Sequence, residues 1–377
     1  MTAAEKILQR ALAESSLDSR QWNSIQAGLR DRAFFSSQIE SARVLHAARK
    51  MAAEAAAGGI SASEFRREMR KVLARDDYRA PREGTIKDMR TKQRLDVVLR
   101  TNVEQARGYV RHLEATTPGG FAAFPAQELV RVRQRKQPRE WARKWHDAGG
   151  KIYGGRMIAL KDDPVWTRIS RFGVPYPPFD FGSGMGVRGV SRKDAVALGV
   201  IDDASIREKV EELRRKPQPG FNDGLEAEIP MRHDSPEADA LRKAFGLDKD
   251  ERGGLVSFDG NVVRWHGERI RDVFEGKIRR VPLGRGFDGR NLSLSHAIIN
   301  EHIRKHVGAN DRDSRNVPLD IGDFELLPAA WRKPDRVVRE NGCDHLELDT
   351  FDGILHVIVD PVSGISTIYK QKTPEGA

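Results

Sequence analysis

The spacing of apolar residues changes twice along the chain, and no one packed layer accommodates all three spacings. Up to about residue 118 they recur at three- and four-residue intervals. From 121 to 190 they keep no sustained period, and Pro, Gly and Trp punctuate short segments. A stretch rich in Pro, Asp, Glu and Gly over 216–254 follows, and beyond it the pattern becomes that of short strands. With 377 residues there is room for two or three domains. The expected fold is multidomain: a mostly α N-terminal module, helical over 1–118 with a loop-rich α+β portion over 119–215, then a linker over 216–254. A small α+β domain with an antiparallel sheet is expected over 255–377.

Local signals sharpen this outline. Ile7, Leu8, Ala11 and Leu12 keep helical spacing, as do Phe35, Ile39, Leu45, Ala48 and Ala52 ahead of a Gly58-Gly59 stop. Ser61-Ala62-Ser63-Glu64 is a capping box that predicts a helix carrying Phe65, Met69, Val72 and Leu73. After Pro81, the stripe Leu95, Val98, Leu99, Asn102, Ala106, Val110 and Leu113 predicts another, ended before Pro118-Gly119-Gly120. Ser191 to Asp194 caps a short helix over 195–198 closed by Gly199, and Ile206, Val210 and Leu213 mark the next. In the last third, Leu255 to Phe258 and Asn261 to Arg264 flank the turn pair Asp259-Gly260. A helix is expected from Ser295 to about Val307. Strands follow at His345 to Leu348, Ile354 to Val359 and Ser366 to Tyr369, punctuated by Asn341-Gly342, Asp352-Gly353 and Ser363-Gly364.

Charge narrows the partners less than it first suggests. Lys and Arg number 65 against 55 Asp and Glu, a formal +10, which favours a polyanion but does not locate a groove. The concentration of Arg131, Arg133, Arg135, Lys136, Arg139, Arg143 and Lys144 is the candidate nucleic-acid surface. Trp141 and Trp145, four apart among them, share a face on a helix and are expected to pack inward. One cysteine, Cys343, excludes an intrachain disulfide and a thiolate zinc cluster. No window reaches the roughly 18 apolar residues of a spanning helix, and the Met1 to Lys6 start lacks a signal-peptide pattern, so no membrane partner and synthesis in a cytosol are expected.

Several phrases between about Leu17 and Leu213 resemble the head morphogenesis family, the Mu-like minor head proteins of tailed phages. They are Arg100-Thr101-Asn102, Pro138-Arg139-Glu140-Trp141, Trp145-His146-Asp147-Ala148-Gly149-Gly150 and, most specifically, Tyr176-Pro177-Pro178-Phe179-Asp180-Phe181-Gly182-Ser183-Gly184-Met185-Gly186-Val187. The resemblance implies a minor capsid component acting in head assembly near the portal, located in the virion and made in host cytoplasm. Its implied partners are portal, major capsid or scaffold proteins and packaged DNA. Some relatives carry a cysteine- and histidine-containing metal motif at the end of this module; Phe181-Gly182-Ser183 stands there instead. In physical terms Pro177-Pro178 stiffens the loop, Phe179 and Phe181 can anchor in a core or a partner, and the glycines permit tight turns. No Lys-Ser/Thr follows those glycines, so a phosphate loop is not expected.

Residues from about Leu292 onward resemble the barnase/EndoU/colicin/RelE-like nuclease domains. The carrying residues are Leu294-Ser295-His296, Glu301 to His306, Val317-Pro318-Leu319, Asp323, Leu326-Leu327-Pro328, Pro334 to Val337 and Thr367 to Lys370. This implies metal-independent cleavage of RNA, with host RNA as substrate and no cofactor. Such cleavage needs a base, an acid and cations at the phosphorane. His302 and His306, four apart on the expected helix, rank first; His296, Arg304, Lys305, Thr367 and Lys370 follow. Glu301 is adjacent to His302 and is not expected to face it. A zinc-protease reading wants Glu after the first His, and Ile303 stands there, so no metal is expected.

Overall fold

The computed structural model describes residues 1–134, 139–216, 272–308 and 316–373, with short pieces at 236–237, 240, 248–249 and 255–256. It is a mixed α/β structure with several antiparallel sheets, among them a four-stranded C-terminal one.

Three short helices, α1 (Ala3–Leu8), α2 (Ser19–Ser24) and α3 (Ala27–Asp31), surround a two-residue parallel ladder of β1 (Ala11–Leu12) and β2 (Ala33–Phe34). Ala11 and Leu12 thus leave the first helical stripe. The Ala11 amide donates to the Arg32 carbonyl at 2.9 Å and the Ala13 amide to the Phe34 carbonyl at 3.1 Å, a pairing with distant chain that local spacing does not report.

The long helices follow the expected stripes. α4 (Ala42–Ala57) starts where the Ser41 hydroxyl accepts from the Val44 amide and stops at Gly58, whose φ of 87° suits a residue without Cβ. Phe35 and Ile39 therefore precede it. α5 (Ala62–Arg75) carries the Ser61/Glu64 capping box and buries Phe65, Met69 and Leu73. α6 (Lys92–Ala115) buries Leu95, Val98, Leu99, Asn102 and Ala106 against them. Pro118-Gly119-Gly120 ends α6 but also opens a helix, α7 (Pro118–Ala123). Proline costs nothing in a first turn, and the Thr117 hydroxyl accepts from the Gly120 amide at 3.0 Å.

From 126 to 190, where no period is legible, the chain builds a four-stranded antiparallel sheet. Its strands β3 (Ala126–Arg131), β4 (Ile152–Tyr153), β5 (Arg156–Leu160) and β6 (Met185–Val190) take the order β4-β5-β3-β6. The helices α8 (Trp141–Asp147) and α9 (Val165–Arg168) lie between them in sequence. Trp141 and Trp145 are buried, with Trp145 edge-on to Trp166 at 5.1 Å. α10 (Arg192–Ala197) and α11 (Asp203–Arg215) follow, and Gly199 takes a φ of 68° after α10.

Most of 216–254 lies outside the described residues, as does the turn at Asp259-Gly260. β7 (Asp248–Lys249) pairs with β8 (Leu255–Val256), so Leu255 and Val256 find their partner upstream of the expected hairpin. Beyond them come the hairpin β9 (Arg280–Arg285) and β10 (Asn291–Ser295), then a helical run, then the short helix Leu327–Arg332. The chain ends in the meander β11 (Arg336–Glu340), β12 (Cys343–Asp349), β13 (Ile354–Asp360) and β14 (Gly364–Gln371). Asn341 and Gly342, at φ 51° and 81°, make the tight turn between the first two.

The run expected as one helix over 295–307 is three geometries in sequence: α over His296–Ile298, a π turn over Ile299–Ile303 and 3-10 over Arg304–His306. It packs Ile299 and Ile303 into a core with Leu346, Leu348, Leu355, Val357, Val359, Ile365 and Ile368. That core also takes Ala42 from α4, and Phe351 packs on the N-terminal core, so the C-terminal sheet is seated on the long helices.

Candidate functional site

The change of helical geometry at 299–306 decides how the ranked histidines are displayed. In a straight α-helix residues four apart share a face, but a π turn followed by 3-10 breaks that phase. His302 is exposed, with Nε2 3.7 Å from Glu301 Oε2, so the adjacent carboxylate does reach it. His306 lies beside Tyr369, ring centroids 5.9 Å apart. The Thr367 hydroxyl donates to the His302 carbonyl at 3.4 Å, which sets that threonine against the histidine's backbone. His296 is held elsewhere. Its Nδ1 is 2.6 Å from the Val273 carbonyl and its Nε2 2.7 Å from Asn300 Nδ2. Arg304 donates to Asn300 Oδ1 at 3.1 Å and to the Phe274 carbonyl at 2.9 Å, whereas Lys305 is exposed.

Lys370 is fully buried. Its ammonium donates to Asp323 Oδ2 at 2.9 Å and Asp352 Oδ2 at 3.0 Å. Lys50 of α4 joins the same carboxylates, at 3.4 Å from Asp323 and 3.1 Å from Asp352, and reaches Asp320 at 2.8 Å. The expectation that Lys370 offers a phosphate contact from the end of the last strand therefore meets a different position: strand alternation turns it to the core, where two carboxylates hold it.

The register of the meander assembles a second group that the sequence reading did not single out. Arg336, Glu347, His356 and Tyr369 stand directly opposite one another across β11, β12, β13 and β14. Directly opposed residues of antiparallel strands share a face, so the four form one transverse row. Arg336 Nε donates to Glu347 Oε2, His356 Nδ1 is 3.7 Å from Glu347 Oε1, and the His356 ring stacks on Tyr369 at 4.6 Å and 8°. His306 touches the same tyrosine, so the ranked helix and the row meet there. His356 is buried, and burial lowers its pKa although Glu347 opposes the shift, which keeps the imidazole neutral near pH 7. Its Nε2 is closed off from solvent and has no hydrogen-bond partner among the described residues. A neutral imidazole with a carboxylate beside one nitrogen and an unpartnered second nitrogen can accept a proton from a group that reaches beneath the side chains covering it. The alternation in each strand is legible in sequence. The row was missed because it depends on how the 350–353 and 361–363 turns set the register.

The basic stretch near residue 140 is largely spent on local pairing. Asp180, 4% exposed, gathers Arg139 Nε at 3.2 Å, Lys144 Nζ at 3.7 Å and Arg171 at 4.0 Å. Arg143 lies 3.7 Å from Asp147 and Arg133 3.6 Å from Glu104, while Arg131 is exposed at the end of β3. Arg135 and Lys136 lie outside the described residues. The Tyr176 to Val187 segment is itself mostly interior. Phe179 packs on Trp166 at 5.9 Å, Pro177-Pro178 is cis, and Gly182 and Gly184 turn the chain at positive φ. α6 carries Gly108 where it meets this loop, and a Cβ there would stand 1.9 Å from the Pro177 carbonyl oxygen. Phe181 is exposed on the loop. Of the two uses open to such a loop, packing accounts for most of it.

Among the described residues no group of acidic, histidine or cysteine side chains is arranged to hold a metal ion, and no helix is long and apolar enough to cross a membrane. The sheet row with its neighbouring histidines defines a candidate proton-transfer site on an α+β scaffold. Searched against family models, curated proteins and solved structures, the chain finds no match.

Proposed function

We propose that this chain is a minor structural protein of a tailed-phage head, with a head-morphogenesis-type module over 1–215, a linker over 216–254 and a nuclease-like α+β domain over 255–377. The observation that carries the reading is a hydrogen-bonded network around Asp31 that reaches one motif segment directly and another through Arg10. Lys6 Nζ and Arg10 Nη2 each stand 3.0 Å from Asp31, and the Tyr176 hydroxyl donates to the same group. Arg10 Nη1 also donates to Asn102 Oδ1 at 2.7 Å. The Arg100-Thr101-Asn102 phrase and the start of the Tyr176 phrase, far apart in sequence, are thus joined by one network, which supports reading them as parts of one module. Its partners in this reading are portal, major capsid or scaffold proteins, with packaged DNA reached through the exposed Arg131 and its neighbours. Quantitative composition of purified heads and proheads tests it. The chain is expected at low, reproducible copy number, and its absence from both overturns the proposal.

The transverse row favours a second role for the same protein, a capsid-carried, metal-independent ribonuclease delivered to host cytoplasm. In this reading the side chains over His356 part on RNA binding so that its Nε2 takes the 2′ proton, Arg336 turns from Glu347 and Asp349 to the phosphate, and His302 or His306 supplies the leaving-group proton. Full-length protein incubated with RNA and excess chelator is expected to leave 2′,3′-cyclic phosphate ends. His356→Ala is expected to slow cleavage about 100-fold or more, the scale of one general acid or base. No cleavage by the folded wild-type protein overturns this role and leaves the structural one standing.

A further inference from the structure

A cleft of about 770 Å³, counting its open mouth, lies among α2, α3, β2, α6 and the 172–181 loop. Two aromatic pairs line it: Trp22 stacked on Phe35 at 4.2 Å and 4°, and Phe172 edge-on to Phe181 at 4.8 Å. Its cavity volume, measured as the room for a water-sized sphere, is about 110 Å³, near the size of a site for one aromatic ring, since a cavity of about 150 Å³ admits benzene.

The charges in this cleft are unbalanced. Asp31 is the only acid in the lining, and Lys6, Arg10 and Tyr176 already share it. Arg30 and Arg94 have only neutral acceptors. Arg30 donates to the Ile25 carbonyl at 2.8 Å and to Asn23 Oδ1 at 3.2 Å; Arg94 donates to Ser36 Oγ at 3.0 Å and to the Ser37 carbonyl at 3.4 Å. Neither forms an ion pair among the described residues. Burial lowers the pKa of both guanidiniums; at Arg30 the neighbouring Asp31 opposes that shift in part, whereas no carboxylate is set against it at Arg94. Guanidinium donors left over in such a place fit an oxyanion, which they bind by charge-assisted and bidentate hydrogen bonds.

We infer that the cleft binds a small aryl oxyanion, a carboxylate or phosphate monoester on a single ring, with the ring between the aromatic pairs and the anion on Arg30 and Arg94. This site is separate from the sheet row and does not depend on the head-protein reading. Titration calorimetry of the full chain with phenyl phosphate and benzoate tests it, beside inorganic phosphate and benzyl alcohol as the two halves of the ligand. One aryl anion is expected to bind saturably at one per chain, and each half at least about tenfold more weakly, a difference of about 1.4 kcal/mol. Arg30→Gln with Arg94→Gln is expected to abolish that preference, whereas Arg94→Lys retains part of it. Phe181→Ala, at an exposed position, is expected to weaken the aryl anion and leave inorganic phosphate unchanged. Failure of both aryl anions to saturate the wild-type chain at millimolar concentration overturns the proposal. So does binding of benzyl alcohol as tight as that of its anionic counterparts, a result that needs no variant to fold.

Discussion

At Asp31 donors from two remote stretches, 6–10 and Tyr176, meet one carboxylate, and the titration behaviour of the group follows. Burial alone would raise its pKa, yet Lys6, Arg10 and Tyr176 hold it well below the usual carboxylate range. The counterpart is Lys6, which burial pushes down to about 7 against the pull of Asp31. Removing one partner from a buried ion pair leaves an uncompensated charge, at a cost of about 3–5 kcal/mol. Asp31→Asn is therefore expected to lower unfolding stability by that order in a urea melt, and a loss under about 1 kcal/mol would contradict the role given to it. Little of this was legible beforehand. Asn102 and Tyr176 belong to motif segments, but Lys6 and Arg10 are the polar positions of a short helical stripe and Asp31 stands in a stretch without a motif, and what joins them is tertiary. Gly108 is similar: it lies outside the apolar stripe of its helix, and only the Pro177 carbonyl packed against it gives it a role.

Elements with local causes were read closely, and those with distant causes were not. The Ser61 capping box is present in both halves, the Glu64 amide donating to Ser61 Oγ at 3.2 Å and the Ser61 amide to Glu64 Oε2 at 2.7 Å. Ser61→Ala is expected to cost about 1 kcal/mol, read as a shift in denaturation midpoint without change in m-value. The last three strands of the C-terminal sheet lie where alternation and turn pairs put them, because hairpins are short-range, whereas its first strand, β11, was not expected. The sheet over 126–190 escaped since β3 pairs with strands about 30 and 60 residues away, across loops whose lengths carry no register information. Within 295–307 the capping residue Ser295 is as expected, but the π turn is set by seating Ile299 and Ile303 on the sheet rather than by propensity.

At the scale of the molecule, α4 is the surface on which the C-terminal sheet sits. Arg49 donates to Glu325 at 2.6 Å and to the Arg10 carbonyl at 2.6 Å, linking this contact to the Asp31 network, and Arg43 pairs with Asp335. Two titratable groups in this contact act in opposite senses. Burial, helped by Arg49 and Lys50, pushes His46 down to about 3 from 6.5, so the unfolded chain takes the proton first and acidification below about 6.5 costs stability. Burial pushes Glu325 up to about 7 from 4.5 although Arg49 opposes it, so its contribution is full below about 4.5 and is lost as pH rises through about 7. His46→Gln is expected to flatten the fall of Tm between pH 6.5 and 4, and Glu325→Gln to steepen it. Identical pH slopes in wild type and both variants would contradict the account. The quantity closest to the central claim is the amount of this chain per particle, measured by quantitative mass spectrometry of heads and proheads from lysates in which it is expressed. The account predicts a low and constant copy number that survives stringent purification. Particles of normal composition that never contain the chain would contradict it.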